Sequence, residues 1–270
     1  MTDSILTANN LVKTFRQRGG KFGMGTTETK ALDKVSIALR TGTTLAIVGE
    51  SGSGKSTLAR CLLQLQPLDS GEVIFQGENL AKLSAGGLRS MRKHLQMIFQ
   101  DPFASLNPRM RIGEIVREGL LIHDMGSRTE QQAKVVQMLK RVGLSEADMQ
   151  KYPHEFSGGQ RQRIGIARAL VLQPKVVVCD EPVSALDVSI QAQILLLLKE
   201  LQAEMALSYI FISHDLRVVR HIADDVVVMH QGKVVEQGSV IDIYQSPTQD
   251  YTRNLLQAIP GRKHATELHA

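Results

Sequence analysis

No uninterrupted apolar stretch in this sequence approaches the roughly 18 to 20 residues that cross a bilayer. The run Ile194-Leu195-Leu196-Leu197-Leu198 is closed off by Gln193 and Lys199. A role at a membrane would require another chain to do the spanning. The opening residues Met1-Thr2-Asp3-Ser4-Ile5 lack a basic region followed by an apolar core, so the chain is expected to carry no secretory signal and to stay in the cytoplasm. Cysteine is scarce. Cys61 and Cys179 lie far apart in apolar surroundings, without C-x-x-C or Cys/His ligand spacing, and read as buried free thiols. The net charge of +5 is mild, with no polybasic tail and no basic run interleaved with aromatics. That argues against a nucleic-acid partner. Internal repeats and low-complexity linkers are also missing. What remains is an ordinary soluble composition, 43% apolar and 22% charged over 270 residues, enough for one large domain or two small ones.

Against these absences, one string carries chemistry. Gly49-Glu50-Ser51-Gly52-Ser53-Gly54-Lys55-Ser56-Thr57 fits G-x-x-x-x-G-K-[ST]. It follows the apolar run Leu45-Ala46-Ile47-Val48 and precedes the helical pattern Leu58-Ala59-Arg60-Cys61-Leu62-Leu63. That is the strand, loop, helix context a phosphate-binding loop requires. Glycines let consecutive backbone N–H groups curl around phosphate oxygens, and the helix that follows directs its positive end at the same charge. Lys55 would reach the β and γ phosphates, and the Ser56 hydroxyl would ligate Mg²⁺.

Patterning sorts the rest of the chain. Ile5 to Val12, Val35 to Leu39, Leu45 to Val48 and Glu72 to Phe75 read as strands, with the loop Gly19-Gly20-Lys21-Phe22-Gly23-Met24-Gly25 inserted after Phe15. They predict an antiparallel β layer beside the phosphate loop. From about Gly113 to Leu172 the period becomes helical; Thr129 with Gln132 reads as a capping box, and Gly143 as a stop. Val176-Val177-Val178-Cys179 and Tyr209-Ile210-Phe211-Ile212 are continuous apolar strands separated by the helical stretch Val188 to Leu207. Such an alternation indicates a buried parallel sheet. Val226 to Met229 and Lys233 to Glu236, joined through Gln231-Gly232, read as a closing hairpin.

Two further pieces depend on this frame. Asp180-Glu181 follows the strand Val176 to Cys179, so both acids emerge at the carboxyl end of a sheet strand, where α/β proteins bind ligands. Alone, such a pair could simply begin a solvated loop. A phosphate loop upstream makes Asp180 the candidate for the Mg²⁺ shell and Glu181 for the group that polarises the attacking water. Ser157-Gly158-Gly159-Gln160 opens the amphipathic run Arg161 to Leu170, with Ser157 and Gln160 as a capping box. The result is a glycine-opened helix N-terminus that could receive an anion.

Together these motifs resemble the ATP-binding subunit of an ABC transporter, whose signature is usually Leu-Ser-Gly-Gly-Gln; Phe156 stands here in the leucine position. The resemblance covers nearly the whole chain. It implies an α/β fold: a P-loop NTPase, RecA-like parallel-sheet core with an antiparallel β subdomain and an inserted helical signature subdomain at about 101–172. Residues 1–270 would form one such domain, ending in a short tail at about 246–270. Gln100, in Ile98-Phe99-Gln100-Asp101-Pro102, corresponds to the glutamine that senses the γ phosphate through Mg²⁺ and water. Asp187, in Ser184-Ala185-Leu186-Asp187, belongs to the loop that crosses between two ATPase subunits, and His214 corresponds to the switch histidine. Phe15 is similar in position to the aromatic that stacks on adenine, although a core role is the alternative.

The resemblance also implies partners. A second ATP-binding subunit, identical or a paralogue, would pair head to tail, so that each ATP lies between the Gly49–Thr57 loop of one chain and the Ser157–Gln160 signature of the other. Two transmembrane permeases and an extracytoplasmic solute-binding protein would complete an importer at the cytoplasmic face of the inner membrane, with Asp101 to Arg109 docking a permease. The segments Gln100 to Arg109 and Ser246-Pro247-Thr248-Gln249-Asp250-Tyr251-Thr252-Arg253-Asn254-Leu255-Leu256 resemble the peptide and nickel uptake branch. The short tail and the glycine-rich insertion look more like its Sap-type, antimicrobial-peptide members. No cysteine follows Ile259-Pro260-Gly261, so no iron–sulfur cluster is expected. A soluble ABC-type ATPase of DNA repair or ribosomes is the alternative. Such proteins generally show two cassettes, a long coiled coil or zinc cysteines. A phosphate-loop kinase or GTPase gives no account of Ser157–Gln160 or His214.

Overall fold

The computed structural model describes residues 4–18 and 26–258. The glycine-rich loop 19–25 and the segment from 259 onward, including Ile259-Pro260-Gly261, lie outside the described residues.

The chain opens with β1 (Ser4–Arg18), β2 (Thr26–Arg40), β3 (Thr44–Val48), α1 (Lys55–Leu62), β4 (Ser70–Phe75) and β5 (Glu78–Asn79). It continues through α2 (Ala85–Arg92), β6 (Leu95–Ile98), α3 (Pro102–Ser105), α4 (Ile112–Ile122), α5 (Arg128–Arg141) and α6 (Gly158–Leu170). The last third comprises β7 (Val176–Asp180), α7 (Val188–Met205), β8 (Ser208–Ile212), α8 (Leu216–Ile222), β9 (Asp225–His230), β10 (Lys233–Ser239), α9 (Val240–Gln245) and α10 (Asp250–Gln257).

Two sheets result. The expected antiparallel layer has the order β2-β1-β4-β5, and the larger sheet runs β10-β9-β3-β8-β7-β6. Its five strands from β9 to β6 are parallel, and β10 closes one edge as an antiparallel partner of β9. The β9–β10 turn has positive φ at both Gln231 (46°) and Gly232 (78°), as a type I′ hairpin requires.

Strand alternation explains why the parallel strands read as unbroken apolar runs. Side chains point to opposite faces in turn, and here both faces are covered. Leu45, Ile47, Val176, Val178, Ile210 and Ile212 pack with α1 and the antiparallel sheet. Val177, Cys179, Tyr209 and Phe211 pack on the other side with α4, α5, α6 and α7. Ala46, Val48, Val226 and Val228 meet α8, α9 and Leu256 of α10. Both cysteines are buried free thiols, as expected; burial pushes the Cys61 thiol up to about 11.

Local signals held unevenly. Gly143 (φ 80°) stops α5 as read. Its N-cap, however, is Ser127 with Glu130, not Thr129 with Gln132: Glu130 Oε2 accepts from the Ser127 N–H at 2.7 Å, and the Glu130 N–H donates to Ser127 Oγ at 3.3 Å. Gly126, at φ 95°, turns the chain just ahead of Ser127, so Thr129 already lies in the first turn. The helical stretch is also broken by 3₁₀ turns at Glu146–Gln150 and Pro153–Glu155.

Candidate nucleotide site

Strand β3 delivers the Gly49–Thr57 loop at the carboxyl edge of the parallel sheet, and the loop's shape depends on glycine. A methyl group on Gly49 (φ 147°) would lie 2.1 Å from the Met229 carbonyl oxygen, and one on Gly54 (φ 104°) 2.3 Å from that of Ala31. Neither obstacle is a side chain that could move. Gly54 caps α1 with no side-chain hydrogen bond, so the first-turn N–H groups lack intrahelical acceptors and converge on the loop. The hairpin braces the loop, since the Gly232 N–H donates to the Ser53 carbonyl at 3.0 Å.

Lys55 is buried, and its ammonium donates to the Gly49 and Glu50 carbonyls at 2.8 Å each. Burial lowers its pKa, while the nearby Glu181 and Asp180 carboxylates oppose that shift. Asp180 is also buried, and burial raises its pKa; the Ser56 hydroxyl, which donates to Asp180 Oδ1 at 3.1 Å, counters this. Ser56 and Asp180 are 124 positions apart in sequence. Their meeting follows from α1 and β7 flanking the same sheet edge.

At Glu181 the backbone takes a positive φ of 47° and leaves the line of β7. The Glu181 Oε2 accepts from Gln100 Nε2 at 3.1 Å and lies 3.1 Å from His214 Nδ1. Gln100 and His214, from beyond the ends of β6 and β8, thus converge on one carboxylate oxygen of Glu181 at the end of β7. A carboxylate oxygen can only accept, so in that contact the His214 Nδ1 would be the donor.

A cleft of about 520 Å³ lies over the loop, lined by Phe15, Lys30, Ser51, Gly52, Lys55, Ser56, Thr57, Gln100 and Glu181 among others. Phe15 is 39% exposed, which removes the core alternative. Thr29, Lys30 and Gln231 also line the cleft, and no local motif marks them. Tyr251 was missed as well: its hydroxyl accepts from the Glu50 N–H at 3.3 Å.

Ser157, Gly158, Gly159 and Gln160 stand apart from the cleft. Their capping box is formed as read, with Gln160 Oε1 accepting from the Ser157 N–H at 2.9 Å. Gly159 abuts α7, where a methyl group would meet Ile190 Cγ2 at 2.6 Å. Asp187 begins α7 with its side chain unused as a cap and does not line the cleft either.

Residues 32–184 match the family described as ABC transporter. The chain belongs to the ABC transporter family. It is 50% identical over 259 residues to the oligopeptide transport ATP-binding protein AppF of Bacillus subtilis (strain 168), covering 96% of this chain and 79% of that protein. The di/tripeptide transport ATP-binding protein DppF of Pseudomonas aeruginosa (strain UCBPP-PA14) is also 50% identical, over 96% of this chain and 80% of its own length. Among solved structures, the dimeric post-hydrolysis state of the ATP-binding cassette MJ0796 bound to ADP and Pi superposes with a TM-score of 0.76 at 29% identity, covering 87% of this chain and 98% of that one. The structure of cbiO1 from Clostridium perfringens, part of the ABC transporter complex cbiONQ, gives 0.77 at 29% identity over 96% of both chains. The protein is therefore an ATP-hydrolysing cassette of this family with the expected P-loop NTPase fold.

Proposed function

We propose that this chain is the motor subunit of a multi-subunit importer of peptides, working peripherally at the cytoplasmic face of the inner membrane. The observation that carries the catalytic half is the convergence of Gln100, Glu181 and His214 beside the Lys55 loop. The relatives, oligopeptide and di/tripeptide transport ATP-binding proteins, support the peptide cargo over a soluble ATPase. Among the described residues no helix is long and apolar enough to cross a membrane, so two permeases would supply the membrane path and an extracytoplasmic binding protein the cargo. Residues 1–270 act in this reading as one ATP-binding unit, with about 101–172 as the signature-bearing insertion.

In this reading ATP lies along the cleft with adenine against Phe15 and its phosphates cradled by the loop of Gly49, Glu50, Ser51, Gly52, Ser53 and Gly54, the Glu50 N–H itself being held by Tyr251. Lys55 neutralises the terminal phosphates. The residues also fit Mg²⁺: one buried carboxylate, Asp180, and one hydroxyl, Ser56, hydrogen-bonded together, with Gln100 nearby in the cleft. Such a sparse oxygen set suits an ion that takes its other ligands from phosphate and water. Bound there, Mg²⁺ would neutralise charge developing on the β and γ phosphates. Glu181 accepts the proton of the attacking water, and His214 and Gln100 fix the direction of its lone pairs.

Because Ser157–Gln160 and Asp187 stand away from the cleft, the site is completed by a second subunit, identical or paralogous, whose signature closes on the nucleotide. Phe103 and Phe99 offer a route to the permease. They are 60% and 42% exposed, and the guanidinium groups of Arg161 and Arg168 lie over their rings at 3.9 and 5.7 Å. Both arginines belong to α6, so a permease segment seated at Asp101 to Arg109 would feel the position of the signature directly. The test is phosphate release by the chain assembled with its permeases in proteoliposomes. Release that rises when a peptide-loaded binding protein is added supports the reading, and release indifferent to every such addition contradicts it.

A further inference from the structure

The tail motif Ser246 to Leu256 has no part in the chemistry above, yet its residues reach the phosphate loop. Glu236 of β10 anchors the segment, accepting from the Thr248 N–H at 2.6 Å, the Thr248 hydroxyl at 2.8 Å and the Gln249 N–H at 3.2 Å. Leu256 is 2% exposed and packs with Ala46 and Val48, residues of β3 that face away from α1. Between these anchors, the Tyr251 ring lies against His230, centroids 4.1 Å apart and planes tilted by 37°. His230 ends β9, directly after Met229, whose carbonyl oxygen crowds Gly49.

We propose that Tyr251 is a positioning residue for the phosphate loop, holding the Glu50 amide so that the carbonyls on either side of it stay aimed at Lys55. The peptide groups flanking Glu50 are held from both directions. Its N–H donates to the Tyr251 hydroxyl at 3.3 Å, while its carbonyl and that of Gly49 accept from the Lys55 ammonium at 2.8 Å each. The Gly49–Glu50 peptide carries one of those carbonyls and the N–H that Tyr251 takes. Nothing in Gly49 itself fixes that peptide plane, because glycine has little preference among backbone conformations. Without the hydroxyl, the plane can rotate and carry the Gly49 carbonyl off Lys55. Tyr251 thereby acts on Lys55 through the backbone without touching nucleotide, and Glu50 spends its N–H on the tail.

This inference rests on the reading of the loop as a phosphate cradle, and its test separates the two. Tyr251→Phe keeps the ring on His230 and removes one hydrogen bond. Binding of ATP and of AMP would be measured on the full-length wild type, on Tyr251→Phe and on Leu256→Ala, which loosens the same tail through packing alone. The expected result is ATP binding weakened roughly twofold to tenfold in Tyr251→Phe, the range one net hydrogen bond supplies. AMP, which lacks the phosphates Lys55 would reach, should bind that variant as it binds wild type. Leu256→Ala should lower Tm and leave the ATP-to-AMP ratio alone. Unchanged ATP binding in Tyr251→Phe, equal weakening of both nucleotides, or the same altered ratio in Leu256→Ala would each overturn the inference. A wild-type chain that binds no ATP overturns the phosphate-cradle reading and this inference with it.

Discussion

Replacing Glu181 with glutamine separates binding from turnover. The side chain is 16% exposed, and its Oε2 meets both Gln100 and His214 at 3.1 Å. Glutamine has nearly the same shape and keeps one carbonyl oxygen that can accept from either neighbour, so the cleft should survive. Two things change. The amide cannot take a proton from water, and the loss of a positioned general base lowers turnover by about 10²- to 10⁴-fold. A negative charge also disappears beside the site of the terminal phosphates, which removes a like-charge repulsion. ATP affinity should therefore equal or exceed that of wild type. The assay is phosphate release at saturating ATP by the assembled complex, with ATP affinity measured in parallel. Turnover that persists at the wild-type rate would refute Glu181 as the base. Lost turnover accompanied by lost ATP binding would mean that the residue holds the cleft together instead.

Three further outcomes follow from the geometry. Gly49→Ala should abolish ATP binding, because the added methyl would sit 2.1 Å from the Met229 backbone oxygen at a φ of 147°; wild-type affinity in that variant would mean the loop is not held as described. Phe15→Ala should weaken ATP by roughly 2- to 12-fold, the equivalent of the 0.5–1.5 kcal/mol typical of aromatic stacking, and titration with ATP checks it. Asp148 is held at about 2, below its ordinary 3.8, first by the Lys151 ammonium and then by the Ser145 N–H. Its stabilisation is therefore present in full above pH 3.8 and lost as pH falls toward 2. Asp148→Asn should cost at most about 2 kcal/mol at neutral pH and nothing at the acid end, read from urea unfolding across pH.

Much of this was legible in the sequence because the chemistry is written in contiguous strings. A phosphate loop needs its glycines, lysine and hydroxyl in adjacent positions, and the Ser157–Gln160 cap closes over three residues. The parallel strands announced themselves because a strand buried on both faces cannot alternate. Short elements were silent. The residues of β6, Leu95-Gln96-Met97-Ile98, include a glutamine, and α2 contains two glycines and buries no residue, so neither carries a strong period. The cap of α5 was misplaced because two hydroxyl residues stand two positions apart, and only the turn at Gly126 decides between them. Phe15 reads from sequence as the adenine-stacking candidate with a core role left open, and only its exposure at the cleft decides against the core. The contact between Tyr251 and Glu50 spans 201 positions and has no local signature. The tail motif could be recognised, but not its target.

The central claim is that this cassette drives transport through membrane partners. The most direct measurement is purification of the tagged chain from detergent-solubilised membranes, with mass spectrometry of what accompanies it. The account predicts two polytopic permeases and an ATP-binding subunit in stoichiometric amounts. Recovery of only soluble partners, such as ribosomes or DNA-repair proteins, would leave the ATP chemistry standing and contradict the importer.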